Sequence, residues 1–490
     1  MGAATVATMV INLVRTKIVA VLLGPYGVGI TSQANLLVNT LTPILFLGLN
    51  QGVSKYLAAA REQGDDRFAS QVATTSAIAV LITSIIGTAL SLIFVRPLGL
   101  WAMQDAALIP LVTISLIAVP FSVLYNLSRA FLQGHKEVRA IAIANVLSAA
   151  LSFVTVVPLV YLLSVEGAVI NIALTWALNA LLYWWFWLRR GNGRLLRWAA
   201  FAWDTLRVLV KYGAANLVVS STNMLAVFLA GAFVIRLLGV EANGLYRAVY
   251  GLSVQYLSLV TGAMAAYSFA QLSGLASRPE GDPDRGPALN AEINNNVRLV
   301  ALVMIPILAG VVILRKLGLI IFYDTEFLPA AALFPAQAIG DFFFALAWAF
   351  GLVLLPLGRV QPWLWINISS TIVVIPLTWA LIRVIVLPGV VLAYAFSQLI
   401  QAGLSWWYIA RYEGFALLPR NTWLLARSLA LLVILALLPD TGALPYVAGI
   451  VLTLGWLALA LTRTEIEQGV AAIKGRAAQL RARLGRGNGA

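Results

Sequence analysis

Four ionisable side chains sit where an apolar sequence should not hold charge. Arg15 and Lys17 lie inside the first apolar stretch, Arg247 about one turn into a later one, and Asp341 near the middle of another. A charge at membrane depth costs at least ~2.5 kcal/mol, so such a group normally faces a watery cavity or a partner. Thr8, Asn12 and Arg15 are spaced i, i+4, i+7, which puts them on one helical face, while Lys17 projects from a different side. Asn216, Ser220 and Asn223 repeat that spacing, and Gln33, Asn35 and Asn39 add polar groups to a further stretch. Cations and amides together suit an anionic phosphate or pyrophosphate group in a shared central cavity. The competing reading is hydrogen bonding between helices, common in membrane bundles. Asp341 is the one acid near mid-membrane. It is a candidate for reversible protonation and hence ion coupling, or else a structural partner of a helix-end polar group.

Other chemistries lack their parts. The chain has no Cys and one His, His135, which removes thiol nucleophiles, disulfides, Cys/His metal sites and most triads. No G-x-x-x-x-G-K-[ST] loop is present, and the run Gly24-Pro25-Tyr26-Gly27-Val28-Gly29 joins two apolar stretches as a tight turn. Neither an enzyme nor a cofactor nor a metal is expected.

The elements that must position these residues are membrane helices. Of 490 residues 61% are hydrophobic and 11% charged, with mean hydropathy +0.91. Apolar runs long enough to cross a hydrocarbon core of about 30 Å recur from one end to the other. Fourteen are predicted: 3–23, 30–50, 69–95, 107–127, 140–163, 167–188, 211–237, 243–270, 296–314, 329–356, 361–384, 388–410, 421–438 and 443–462. Arg15 and Lys17 interrupt the first where the core of a signal peptide should be uncharged, so it reads as a helix.

The net charge of +14 could suggest nucleic acid. Its distribution points elsewhere. Twenty-four Lys and Arg fall in one set of loops and the C-terminal tail, and five fall in the opposite loops. Positive-inside sorting then places both termini and the basic loops in the cytoplasm, in a bacterial inner membrane, with no nucleic-acid partner. Two segments are amphipathic and expected to lie on anionic membrane lipids: 189–210, with Trp198, Phe201 and Trp203 among arginines, and the tail 463–490, where Ile466, Val470, Ile473, Ala477, Leu480 and Leu484 recur at spacings of four and three.

An internal repeat organises the spans. Leu22-Leu23-Gly24 with Gly29 is echoed by Leu237-Leu238-Gly239 with Gly244. Arg96-Pro97-Leu98-Gly99-Leu100 is echoed by Arg315-Lys316-Leu317-Gly318-Leu319, and Gly134 by Gly358. The prediction is an all-α integral membrane protein with two six-helix lobes, 1–188 and 211–410, related by a pseudo-two-fold along the membrane normal. Residues 189–210 link the lobes, 411–462 add two helices, and 463–490 form the tail. By analogy with Arg96, Arg315 and Lys316 are expected to snorkel at the far interface.

Val14-Arg15-Thr16-Lys17-Ile18-Val19-Ala20-Val21-Leu22-Leu23-Gly24-Pro25, continuing to Gly29, resembles the opening of Wzx-type O-antigen and polysaccharide flippases of the multidrug/oligosaccharidyl-lipid/polysaccharide exporter superfamily. Gly52-Val53-Ser54-Lys55-Tyr56 is similar too, as is Tyr323-Asp324-Thr325-Glu326-Phe327-Leu328-Pro329-Ala330 followed by Gln337, Gly340 and Asp341. The resemblance implies two lobes around a cationic cavity that opens alternately to each side. It implies movement of undecaprenyl-diphosphate-linked oligosaccharide to the periplasmic leaflet, driven by an ion gradient, with polysaccharide polymerase and chain-length machinery as partners. Arg15, Lys17 and Arg247 would then bind the diphosphate. A lipid II flippase is the alternative, ahead of a drug/cation antiporter, which needs a buried acid in the first lobe, and of a membrane-embedded polymerase or ligase, which needs a large far-side loop.

Overall fold

A bilayer core offers backbone groups no hydrogen bonds, so a crossing chain must satisfy them within its own helices or in a closed barrel. The computed structural model, which describes residues 2–279, 281–439 and 442–461, takes the first course, with no strand among the described residues. The first lobe comprises α1 (Gly2–Leu45), α2 (Asn50–Gln63), α3 (Asp66–Ile93), α4 (Val95–Met103), α5 (Ile109–Gly134) and α6 (Val138–Arg189). The second comprises α7 (Trp203–Leu238), α8 (Val240–Ala276), α9 (Arg285–Ile313), α10 (Arg315–Phe322), α11 (Phe334–Gly351), α12 (Val360–Ile385) and α13 (Pro388–Tyr412), and α14 (Pro419–Leu437) and α15 (Leu444–Ala460) follow. Ten helices among the described residues are long and apolar enough to cross a membrane. Two of them, α1 and α6, bend midway into two crossing lengths each. With α13 and the shorter α15 this makes the fourteen crossings that the apolar runs predict.

The repeat reappears as geometry. Each lobe reverses direction at two single-residue joints with positive φ: Gly24 (61°) and Ser164 (52°) in the first, Gly239 (93°) and Val386 (62°) in the second. The loop expected over 24–29 is therefore one residue, because Pro25 can open the next helix, where its missing N–H is not needed. A glycine just past the second joint of each lobe permits the reversal. A Cβ on Gly167 would lie 1.9 Å from the carbonyl oxygen of Leu159, and one on Gly389 2.5 Å from that of Leu381. The short helices α4 and α10 also correspond, each following a long crossing helix at the same end of its lobe.

The lobes meet through their backbones. A Cβ on Gly29 would lie 2.3 Å from the oxygen of Val240, and one on Gly244 1.8 Å from that of Pro25. Pro25 and Val240 each follow the first joint of their lobe, so the contact is reciprocal. Towards the basic end the second half of α1 stays against α7. Gln33 Nε2 donates to Phe228 O at 3.1 Å, Thr40 Oγ1 to Met224 O at 3.3 Å, and a Cβ on Gly213 would strike Gly48 O at 2.2 Å.

Four expectations change. Residues 50–63, expected as a loop, form α2, which Gly64 ends in the left-handed conformation; Val53, Leu57 and Ala60 bury one face of it. The linker is shorter than 189–210. α7 already begins at Trp203, and the segment before it folds as two 3-10 turns held against α3. Arg315 does not snorkel. It is buried and donates from Nη1 to Val312 O at 2.7 Å, because the α14–α15 hairpin closes over it with Leu438 and Tyr446. Arg298, one of the twenty-four charges counted on the basic side, is buried as well, donating to Ala460 O at 2.7 Å, where a cation complements the C-terminal end of α15. The predicted amphipathic tail lies outside the described residues.

Gly167→Ala and Gly389→Ala should each lower the thermal unfolding midpoint of the purified protein, through overpacking that costs roughly 1–3 kcal/mol. Gly310→Ala, on a helix where a Cβ meets nothing within 4 Å, should leave the midpoint unchanged or slightly raised. Equal midpoints for Gly167→Ala and Gly310→Ala would contradict the tight reversals.

Candidate functional site

The polar stripes follow from helical periodicity, and the reversals at the joints bring them face to face. Instead of one shared cavity, the polar groups bound two, one in each lobe. The cavity of the first lobe, about 280 Å³, lies between the halves of α1 and the halves of α6. Arg15, Thr16, Thr31 and Asn35 line one wall, and Asn171, Thr175 and Asn179 the other. The cavity of the second lobe, about 370 Å³, lies among α7, α8, α12 and α13, the counterparts of those four half-helices, with Phe344 of α11 adding to its wall.

In the first cavity Arg15 Nη1 donates to Ser152 Oγ at 2.8 Å. Ser152 shares a hydrogen bond with Thr175 at 2.7 Å, Asn171 donates to Thr155 at 2.7 Å, and Ser148 donates to Asn179 at 2.6 Å. No acid among the described residues lines this cavity. A guanidinium ringed by amides and hydroxyls can hold a phosphate oxygen and offer sugar hydroxyls both donors and acceptors. The α6 residues were legible and overlooked. Asn171, Thr175 and Asn179 are spaced i, i+4, i+8, the same stripe signal that marked α1 and α7.

The second cavity has the opposite character. Its wall carries Asn223, which accepts from Thr371 at 3.2 Å, and Gln401, which donates to Asn367 at 3.1 Å. Behind the wall lies Asp341, fully buried on α11 and surrounded by donors. Ser253 Oγ is 2.8 Å from both carboxylate oxygens, Gln337 Nε2 donates at 3.0 Å, Tyr394 OH at 3.1 Å, and Tyr256 OH closes the cage. Ser253 and Tyr394 also line the cavity, so they link the acid to it. No ion pair to Asp341 occurs among the described residues. Gly340 makes this possible, since a Cβ there would strike the Tyr394 ring at 2.6 Å.

The other predicted residues lie elsewhere. Lys17 reaches across to the second lobe, donating to Ile320 O at 2.7 Å and to Tyr323 O. Arg247 is 5% exposed at the seam between lobes, donating to Val227 O at 2.8 Å with its guanidinium 5.0 Å from the Tyr246 ring. Its Nε and Nη1 have no partner, and neither does the nearby Gln33 Oε1. Gly231 provides the space, because a Cβ there would meet Arg247 Nη2 at 2.2 Å and Gln33 Oε1 at 2.3 Å. Asn12, Asn39, Asn216 and Ser220 line neither cavity; Ser220 donates to Asn216 O at 2.6 Å. His135 sits outside the bundle interior in the turn between α5 and α6. Its Nδ1 pairs with Phe131 O at 2.8 Å, and burial holds its imidazole below the usual histidine range. No cluster of three or more His, Cys, Asp or Glu that could hold a metal occurs among the described residues.

Truncating the caged acid should be costly. Asp341→Ala should lower the unfolding midpoint in the absence of any ligand, since each buried donor left unpaired costs about 1–3 kcal/mol. Tyr394→Phe, which removes one donor and leaves the others paired, should shift it far less. Equal shifts would mean that the cage is not made by the carboxylate.

Comparison with known proteins agrees with this architecture. The Lipid III flippase of Escherichia coli (strain K12) is 22% identical over 377 residues, covering 75% of this chain and 86% of that protein. A solved inward-facing multidrug resistance transporter of the MATE family, in the MOP superfamily, superposes with a TM-score of 0.72 at 15% identity, covering 83% of this chain and 94% of the other. The lipid II flippase MurJ in its inward closed conformation superposes at 0.65 and 13% identity, covering 94% and 97%. Residues 1–269, more than half of the chain, match the family model described as polysaccharide biosynthesis protein. The chain belongs to that family, an integral membrane protein with the fold of the MOP-superfamily transporters.

Proposed function

We propose that this protein flips undecaprenyl-diphosphate-linked oligosaccharide, an O-antigen or related polysaccharide repeat unit, from the cytoplasmic to the periplasmic leaflet by alternating access. The observation that carries the reading is Arg15 in a cavity of amides and hydroxyls that no acid lines among the described residues. A drug/cation antiporter would need an acid in that place. The basic end of the bundle is then the cytoplasmic one, by positive-inside sorting.

The contacts at the far end support a state closed to the periplasm. Lys17 on the backbone of α10, Asn243 Nδ2 donating to Gly29 O at 3.0 Å, and the reciprocal glycines all hold the lobes together there. In this reading Arg15 meets the diphosphate from the cytoplasmic side. Lys17 and Arg247, now locked in the seam, are released as the lobes rock apart at the far end. Separation would then uncover cations that keep the diphosphate bound through the crossing. Asp341 is the coupling group, exchanging a proton or a sodium ion through Ser253 and Tyr394, which connect it to the second cavity. A lipid II flippase fits the same cations, and complementation of a strain depleted of that activity separates the two.

Arg15→Gln should reduce surface polysaccharide at least tenfold at unchanged protein level and cause polyprenyl-linked glycan to accumulate, read by mass spectrometry. Arg15→Lys should retain more activity. Undiminished polysaccharide in Arg15→Gln would refute the proposal. Because the sequence has no cysteine, sidedness can be read from single replacements. In intact cells a membrane-impermeant maleimide should label Ala106→Cys and spare Asn192→Cys; the reverse pattern would invert the topology.

A further inference from the structure

The basic end of the first lobe holds a second, larger hollow that the transport reading does not use. It measures about 810 Å³ and lies between the end of α2, the start of α3, the α5–α6 turn and the linker before α7. Arg61, Arg67, Arg190, Arg194 and Arg197 line it against two acids, Asp66 and Glu137. Arg190 pairs with Glu137 at 3.2 Å, and Arg61 donates to His135 O. The rest of the charge is uncommitted. Arg194 and Arg197 use only Nε, on backbone oxygens at 3.1 and 3.3 Å, and Arg67 makes no hydrogen bond or ion pair among the described residues.

Three hydroxyls on α3 fix the linker that carries two of these arginines. Ser70 and Thr74 donate to Leu195 O at 2.6 and 3.1 Å, while Thr74 and Thr75 accept from the backbone N–H groups of Arg197 and Ala202, each at 3.0 Å. Beyond Arg197 the hollow adjoins a second one of about 280 Å³, which has Arg197 and Thr74 in its own wall and is mostly apolar, with Ile78, Leu81, Leu127 and Trp198 among its lining. Trp198 is 78% exposed, and the neighbouring α3 side chains Ile82, Ile85 and Ile86 face outward. An anion site joined to an apolar crevice on the outer flank of the bundle has the shape of an amphiphile.

We propose that this paired hollow is a binding site for one anionic phospholipid of the surrounding leaflet, its phosphate among Arg67, Arg194 and Arg197 and one acyl chain in the crevice between α3 and α5. Charge complementarity selects a phosphate-bearing lipid without a compensating cation, and the crevice places the chain among neighbouring lipids and away from the seam between lobes. By holding the linker against α3, the bound lipid stabilises the segment that connects the two lobes. The proposal is independent of the flippase reading.

Native mass spectrometry of the full-length protein with phosphatidylglycerol or phosphatidylcholine, paired with thermal unfolding, tests it. The wild type should retain one phosphatidylglycerol and gain stability from it, with phosphatidylcholine at least tenfold weaker. The triple variant Arg67→Gln/Arg194→Gln/Arg197→Gln should lose this preference, and Ile78→Trp, which fills the crevice, should weaken binding with the arginines intact. Arg67→Gln alone removes an exposed, unpartnered side chain and serves if the triple variant does not fold. Arg15→Gln should bind phosphatidylglycerol normally even where transport fails. Equal binding of the two lipids, or wild-type binding in both the arginine and the crevice variants, would overturn the site. Displacement of phosphatidylglycerol by lower concentrations of a polyprenyl diphosphate would assign it to the transported substrate and overturn the proposal as well.

Discussion

A hydrocarbon core offers no hydrogen bonds, and every polar choice in this protein answers to that fact. Main-chain groups retreat into helices, and at Gly24, Ser164, Gly239 and Val386 a single non-helical residue turns the chain, which leaves few amides outside a helix. Side-chain hydroxyls mostly return to the carbonyl one turn back on their own helix, as Thr16 does with Asn12 O and Thr42 with Val38 O. What remains after this local accounting is a short list of groups whose partners lie far away in sequence or do not exist. Arg15, Lys17, Arg247 and Asp341 are on that list: Arg15 lines the cavity of the first lobe, Lys17 and Arg247 lie in the seam, and Asp341 stands behind the wall of the second cavity.

The two lobes solve the same packing problem and carry opposite charge. The first places a guanidinium against hydroxyls and amides, and the second places a carboxylate inside a ring of donors. A buried carboxylate is tolerable only when its lone pairs are filled, and Ser253, Tyr256, Gln337 and Tyr394 fill them without a cation. Duplication supplied the framework of joints, glycines and short end helices. The lobes differ in the polar side chains in and behind their cavities.

Much of this was legible in the sequence because its determinants are local. Crossing helices follow from apolar length, and the repeat from Gly24, Gly29, Gly239 and Gly244, whose steric need the backbone contacts explain. Arg15, Asn35 and Asn223 were identifiable as polar groups in apolar runs, and they do line cavities. Asn171, Thr175 and Asn179 carried the same periodic signal without a charge to draw attention to it. Of the donors around Asp341 only Gln337, one turn away, was within reach of a local period; Ser253 and Tyr256 are more than eighty residues away and Tyr394 lies on another helix. The fates of Lys17 and Arg315 also depended on elements folding over them, α10 in one case and the α14–α15 hairpin in the other. The path of the linker was not legible, because arginines among tryptophans look the same on an amphipathic helix as on an irregular strap pinned by α3.

The crossing of Gly29 and Gly244 bears on descent. Each glycine abuts the residue in the other lobe that corresponds to its own lobe's neighbour: Val240 for Gly29 and Pro25 for Gly244. That pattern, in which patch i meets patch j and j meets i, is the signature of an isologous interface in a homodimer. An ancestral six-helix protein with one such glycine could have paired with a second copy of itself through the same surface. Fusion of the two genes would have kept the dimer interface as the seam between lobes. It would also have freed each half to take its own charge, which no symmetric pair of identical subunits could do.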